Sequence, residues 1–288
     1  MPLMPSAGLH ARVALDKHDF RTSHALGQNF LLDDALLSHL LDLADVSAQD
    51  NVLEIGPGAG VMTALLAGRA QRVLAVEVDE RLRPVLESVL APHENASVLY
   101  ADFLKCDAGT LVDGAFGGAP YRVVANLPYY ITADILLRLT TCARRPERID
   151  IMVQREAAER ILSNPGCKQW CALAAIVRHY GAARVLEDVP AAAFDPPPHV
   201  ESCFLEIARY AEPPVRPADE AAFLRTIHAA FAMRRKTLAN NLKSAFGLSA
   251  QQAADVLDRA GIDGRVRGEA LSLEELARVS DALQELEH

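Results

Sequence analysis

One stretch constrains the fold more than any other. Val52-Leu53-Glu54-Ile55 runs into Gly56-Pro57-Gly58-Ala59-Gly60 and then into the helical pattern of Val61 to Arg69. A short apolar strand, a glycine loop and a helix open a βαβ unit, and such units build parallel sheets covered by helices. The glycine spacing narrows the ligand. A dinucleotide fingerprint wants glycine at the first, third and sixth positions, whereas here the sixth is Val61 and the third glycine is Gly60. That disfavours a pyrophosphate and suits a non-phosphorylated nucleoside lying flat on the backbone of Gly56, Gly58 and Gly60. A second strand, Arg72 to Val76, ends in Glu77, whose carboxylate can accept hydrogen bonds from both hydroxyls of a ribose. A third, Ser97 to Tyr100, ends in Ala101-Asp102-Phe103, where Asp102 can accept from an adenine amine and Phe103 can flank the ring. Each acidic residue alone reads as a solvated strand end. Three successive strands presenting such groups at one edge read as a nucleoside site.

The run Val123-Val124-Ala125 is a buried strand, and Asn126-Leu127-Pro128-Tyr129 stands at its carboxyl end, where open α/β sheets place their ligands. These residues can grip a flat base that carries an exocyclic amine. The Asn126 side-chain oxygen and a backbone carbonyl at Leu127 or Pro128 accept the two amine hydrogens, while Tyr129 stacks on the ring. The competing reading is a strand that ends in a proline turn with one exposed tyrosine. Upstream, Leu26 to Asp33 is a turn feeding a helix with Asp33 at its N-cap and Leu36, Leu37, Leu40, Leu41 and Leu43 as its buried stripe. Gln28 and Asn29 in that turn read, by themselves, as turn amides, and both are also candidates to bind the nucleoside cofactor.

Composition excludes several classes. A chain of 288 residues, half of it hydrophobic, suits one large domain and one smaller one, and a formal charge of -9 argues against bulk attraction to nucleic acid. Any nucleic-acid site must be a local basic patch. The five cysteines are scattered and odd in number, and the first twenty residues have no apolar core segment, so a reduced cytoplasmic setting without signal or transit peptide is expected. Cys167 and Cys171, the one close pair, lack partners at metal-site spacing, so no metal is expected. No apolar run approaches the ~20 residues of a membrane span.

After the strands around Val185 and Cys203 to Ile207, the proline-rich Glu212 to Pro217 marks a boundary. The expected domains are 1–210, a linker at 211–217, and 218–288. The last is helical throughout, with capping-box spacings at Ser249/Gln252 and Ser272/Glu275 and stops at Gly247 and Gly261. From Ala221 to Gly247 it holds Arg225, Arg234, Arg235, Lys236 and Lys243 and no Asp or Glu, which suits a phosphate backbone; a plain solvated face is the alternative.

Gln-Asn-Phe-Leu at 28–31, Glu-Ile-Gly-Pro-Gly-Ala-Gly at 54–60, Glu77, Ala101-Asp102 and Asn-Leu-Pro-Tyr-Tyr-Ile-Thr at 126–132 together resemble the ribosomal RNA adenine dimethyltransferase family. The resemblance runs from about Leu26 to Leu283. It implies an α/β fold, a class I (Rossmann-like) methyltransferase sheet with a small C-terminal all-helical domain. It implies S-adenosylmethionine as cofactor, bound by Asn29, Leu31, Gly56, Glu77, Asp102 and Asn126. It also puts Phe194, in the stiff loop Phe194 to Val200, beside the target base, and matches the Arg-Arg-Lys-Thr element at 234–237 to RNA contact. The implied reaction is dimethylation of N6 on two adjacent adenosines in the 3'-terminal hairpin of small-subunit (16S) ribosomal RNA, by a monomer acting on a pre-30S particle. Two departures from the family pattern stand out: Ala133-Asp134 where many relatives carry a proline, and Trp170-Cys171 where they usually carry Tyr-Gly. Methylation of large-subunit RNA or DNA adenine, a non-catalytic RNA-binding assembly or transcription factor on the same fold, and a nicotinamide enzyme, which Val61 weakens, remain as alternatives.

Overall fold

The computed structural model describes residues 6–23 and 26–287. Helix α1 (Ala7–Lys17) begins at Ser6, whose side chain accepts from the Leu9 amide. A two-residue strand, β1 (Phe30–Leu31), precedes α2 (Asp34–Leu43), which Asp33 caps at the amides of Ala35 and Leu36. The alternating body follows: β2 (Asn51–Ile55), α3 (Val61–Ala67), β3 (Arg72–Glu77), α4 (Arg83–Leu90), β4 (Ala96–Tyr100), α5 (Ala108–Phe116), β5 (Arg122–Asn126), α6 (Thr132–Thr141) and β6 (Arg148–Gln154). Then come α7 (Arg155–Ile161), α8 (Ala172–Tyr180), β7 (Gly181–Val189), β8 (Phe194–Asp195) and β9 (Ser202–Arg209). The chain ends in α9 (Glu220–Phe231), α10 (Leu238–Phe246), α11 (Ala250–Ala260) and α12 (Leu273–Glu287).

The main sheet has the order β4-β3-β2-β5-β6-β9-β7. Strands β4, β3, β2, β5 and β6 are parallel, and β9 runs antiparallel to β6. All five residues of β2 are buried, as a central strand covered on both faces requires. The chain builds outward from β2 to β4 and then returns to lay β5 on the other flank of β2. That reversal is a topological switch point, where the loops after β2 and β5 part and leave a crevice at the carboxyl ends of the strands. Gly56 and Asn126 stand at its two sides.

The chain divides into two compact units, one reaching to Ala158 and including Ala183–Arg209, the other made of Glu159–Ala182 and the residues from Tyr210 onward. The sequence expectation had put 159–182 in the first domain. The reason for the difference is Trp170, which is fully buried, donates from Nε1 to the Leu271 carbonyl at 3.0 Å and sets its ring edge-on to Phe231. Tyr180 then accepts at its carbonyl from the Tyr210 amide, and the His179 ring meets Phe223 edge-on at 5.1 Å. Trp170 is therefore a core residue of the helical unit. In that unit Ser249 and Gln252 form a reciprocal capping box, and Gly247 and Gly261 end their helices with φ of 68°. No helix of the described residues is long and apolar enough to cross a membrane.

Helix α1 has no counterpart in the sequence reading. It packs on α3 and α4, and Gly8 lies so close to the chain after β1 that its amide donates to Asp34 Oδ2 at 2.9 Å. Strands β1 and β8 pair antiparallel, Phe30 with Asp195 and Leu31 with Phe194, far apart in the chain.

Candidate active site

The loop after β2 turns on two glycines in the left-handed region, Gly56 at φ 73° and Gly58 at φ 55°, where an L side chain is strained. A Cβ on Gly58 would also stand 2.9 Å from the Phe30 ring. Gly60 serves a different purpose. It is the N-cap of α3 at φ 82°, and a Cβ there would stand 2.9 Å from Leu86 Cδ2 in α4, so its bareness lets helix pack on helix.

A cleft enclosing about 600 Å³ of empty space, partly open to solvent, lies at the switch point. Gln28, Asn29, Gly56, Gly58, Glu77, Asn126, Leu127, Pro128 and Tyr129, all singled out from the sequence, line it together. At the end of β3, Glu77 is 4% exposed. Its Oε1 accepts from the Asp79 amide at 2.8 Å and its Oε2 from the Gly58 amide at 3.2 Å. Burial raises its pKa and the two amides pull it back. The carboxylate is thus aimed by backbone, with further acceptor capacity on both oxygens. Gln28 is engaged at both ends: its Oε1 accepts from the Ser23 amide at 2.7 Å and its Nε2 donates to Asp79 Oδ2 at 2.8 Å. Arg81 grips the same Asp79 and, with Gln28, holds its pKa down. Gln28 therefore ties the turn before β1 to the loop after β3.

Across the cleft, Asn126 Nδ2 donates to the Asn29 carbonyl at 3.3 Å, which leaves Oδ1 as the end of the amide free to accept from a ligand. The two candidate carbonyls beside it differ. Pro128 O already accepts from the Ile131 amide at 3.3 Å and Thr132 Oγ1 at 3.2 Å, whereas no donor among the described residues reaches Leu127 O. Leu127 supplies the open acceptor. Tyr129 is half-buried, and its hydroxyl lies 2.5 Å from Ser202 Oγ. The turn Tyr129–Ile131 is a single 3-10 turn, and α6 starts at Thr132 without the proline.

A second hollow of about 300 Å³ adjoins the first, sharing Phe30, Gly56 and Asn126 and adding Leu31 and Glu54. Sequence reasoning passed over Glu54 as part of a strand. It is 1% exposed and its Oε2 has no hydrogen-bond partner. Burial, reinforced by the charge of Glu77, pushes its pKa up to about 8. An acidic residue set between apolar neighbours in a central strand, Leu53 and Ile55, was the available signal.

Five expected residues do not open into the cleft: Gly60, which faces Leu86 of α4, and the four that follow. Asp102 accepts from the Leu104 amide at 3.0 Å and pairs with Lys105 at 3.2 Å, acting as a cap of the turn after β4. Phe103 is 4% exposed, packed inward by that turn rather than flanking a ligand. Phe194 is also 4% exposed, held in the core with Phe30 by the β1–β8 pairing, so it presents no surface ring to RNA. Leu31 faces only the smaller hollow. In the helical unit, Arg234, Arg235 and Lys236 are exposed on the turn between α9 and α10, Arg225 is exposed on α9, and Lys243 is half-buried on α10. Arg234 also donates to the Lys168 carbonyl and stands 3.7 Å from Glu269. Among the described residues no cluster of three or more His, Cys, Asp or Glu is placed to hold a metal ion.

A mostly parallel seven-stranded sheet in which β9 runs against β6, a glycine loop at its switch point and a buried carboxylate ending the next strand define a class I methyltransferase. Within that class, the chain belongs to the ribosomal RNA adenine dimethylase family, whose model matches residues 18–285. It is 42% identical over 272 residues to a ribosomal RNA small subunit methyltransferase A of Shouchella clausii, covering 93% of this chain and 92% of the relative. It is 39% identical over 277 residues to the protein of the same name from a Geobacillus species, covering 95% of each. Among solved structures, the fold is shared with a dimethyladenosine transferase from Plasmodium falciparum at TM-score 0.71 and 20% identity, covering 88% of this chain and 96% of that one. The 23S rRNA methyltransferase ErmE matches at TM-score 0.62 and 26% identity, covering 89% of this chain and all of ErmE.

Proposed function

We propose that this protein transfers methyl groups from S-adenosylmethionine to N6 of two adjacent adenosines in the 3'-terminal hairpin of small-subunit ribosomal RNA. The observation that carries the reading is the pair of free acceptors at the end of β5, Asn126 Oδ1 and Leu127 O, beside the half-buried ring of Tyr129. The small-subunit relatives support the choice of RNA.

The donor set fits the cofactor. A buried carboxyl with an unpartnered oxygen, Glu54, and a second carboxyl, Glu77, suit a ligand with cationic groups and a ribose diol. Glu77 would hold the ribose, Gly56 and Gly58 would let the ligand lie on the backbone, and Asn29 would border it. When bound, S-adenosylmethionine supplies an electrophilic methyl carbon on a sulfonium. Leu31 would border the smaller hollow, while Asp102 and Phe103 would act through the turn after β4 that they shape.

The adenine amine is a poor nucleophile because its lone pair is delocalised into the ring. Accepting its two hydrogens at Asn126 Oδ1 and Leu127 O favours the pyramidal amine, and Tyr129 holds the ring in line with the methyl carbon. Each transfer would form one N6–carbon bond as the methyl carbon–sulfur bond breaks, with the neutral thioether as leaving group and one proton released. No strong base is needed, because the nitrogen becomes acidic only as that bond forms, and the proton stays hydrogen-bonded to Oδ1 or to the carbonyl until it leaves to solvent. Extruding the base costs a few kcal/mol, less in a loop than in a duplex. The exposed Arg234, Arg235 and Lys236 would hold the phosphate backbone, with Arg225 and Lys243 as further candidates. The finer reading is that one copy of the chain acts on an assembling small subunit in the cytoplasm; cosedimentation with immature subunits tests it.

The deciding experiment is incubation with labelled cofactor and unmethylated small ribosomal subunits, followed by nucleoside analysis. Dimethyladenosine in the 3' hairpin is expected. Cofactor binding with no label in that RNA would overturn the reading and point to large-subunit RNA.

A further inference from the structure

We propose that Ser202 is a positioning residue for the second methyl transfer, tethering the Tyr129 ring so that an adenine already methylated once is still held in line. The inference rests on the dimethylase reading and adds a residue to it. Ser202 opens β9, is 1% exposed, and is paired in register with Gln154 of β6. Its backbone is therefore set by the sheet, and its Oγ offers Tyr129 a fixed anchor at 2.5 Å. At its other end Tyr129 is held by the turn whose Pro128 carbonyl accepts from Ile131 and Thr132. A tyrosine side chain has two main torsions, and fixing both the backbone and the phenol leaves the ring one orientation. Phenylalanine at position 129 would stack equally well but could not be tethered. Burial raises the Tyr129 pKa, so the phenol keeps its proton across the neutral range.

The two transfers make different demands on this tether. The unmethylated amine has two hydrogens, one for Asn126 Oδ1 and one for Leu127 O, and the two hydrogen bonds aim it. After the first transfer one hydrogen is left, so one of those bonds is lost and stacking on Tyr129 supplies a larger share of the aim. In the second transfer the N6–carbon bond forms as the carbon–sulfur bond of a fresh S-adenosylmethionine breaks, the neutral thioether leaves, and the last N6 proton goes to solvent. Loosening the ring must therefore slow the second step more than the first.

The test compares wild type, Ser202→Ala, Tyr129→Phe and the double variant on unmethylated small subunits, resolving N6-methyladenosine from N6,N6-dimethyladenosine over time. The loss of one neutral hydrogen bond predicts that each single variant slows the first transfer about 3-fold and the second about 10-fold, so monomethyladenosine accumulates. Cofactor affinity stays unchanged, and the double variant is no slower than either single one. Equal slowing of both transfers, additive effects in the double variant, or a wild-type product ratio in the singles would overturn the proposal. Because Tyr129→Phe breaks the same bond from the cleft side, misfolding of Ser202→Ala leaves a second test in place. A wild type that forms no methyladenosine sinks the dimethylase reading instead.

Discussion

Asn126 works because its two ends have different partners. The amide nitrogen is spent on the Asn29 carbonyl, so the oxygen is presented to the cleft. Asn126→Ala removes an acceptor aimed at the reacting amine. By analogy with other preorganised polar groups, kcat is expected to fall about 10²–10³-fold, with the cofactor dissociation constant nearly unchanged; single-turnover kinetics and calorimetry check the two halves. Glu54 makes a second prediction at this scale. Its folded pKa of about 8 lies above the ordinary 4.5. Between those values the folded protein keeps a proton that the unfolded chain has lost. Its contribution to stability is thus complete below pH 4.5 and is lost as pH rises through 8. Without cofactor, the melting temperature of the wild type should fall relative to Glu54→Gln between pH 5.5 and 8.5. Parallel curves for the two proteins would show that Glu54 does not titrate in this range.

At the scale of elements, the glycine loop and the start of α1 depend on backbone that a side chain would block. A Cβ on Gly8 would lie 2.0 Å from the Leu32 carbonyl oxygen, and backbone cannot give way as a flexible side chain can. Gly8→Ala is expected to lift α1 from α3 and α4, seen as faster amide exchange across Ala7–Lys17; unchanged protection there would mean that the contact relaxes cheaply. The helix escaped the sequence reading because Asp16, Lys17, His10 and Arg12 leave it without a strong apolar stripe, and its docking comes from small residues, Ala11 and Ala14. Ser6 at its N-cap was the one local sign. Elements set by local signals were far more legible: Asp33 at the start of α2, the run Val52–Ile55 of β2 and the caps of α11 all act within a few residues. Phe103 and Phe194 misled for the opposite reason: an aromatic ring at a strand end looks the same in sequence whether it turns outward to a ligand or inward to the core.

Over the whole molecule, net charge and local charge oppose each other. A chain of formal charge -9 presents Arg234, Arg235 and Lys236 together on one exposed turn. If they meet phosphates, the double variant Arg234→Ala with Arg235→Ala should reduce the slope of log affinity for RNA against log salt by about 1.5, the release of counterions at two sites. Filter binding of hairpin RNA at several salt concentrations measures it, and an unaltered slope would make the turn a solvated face. Arg234 is the weaker of the two candidates because Glu269 is already near it.

The period of strands and helices, the glycine loop, the carboxylate at the end of β3 and the Asn-Leu-Pro-Tyr turn are legible in residue order, because each depends on spacing within a few residues. Folding brings about the rest: Gln28 braces Asp79, Leu127 rather than Pro128 keeps an open carbonyl, Trp170 joins residues 159–182 to the helical unit, and Ser202 Oγ meets the Tyr129 hydroxyl. Those are contacts between side chains or carbonyls distant in the chain. Their partners are chosen by how strands order and which way rings turn, which depends on packing rather than on any local pattern.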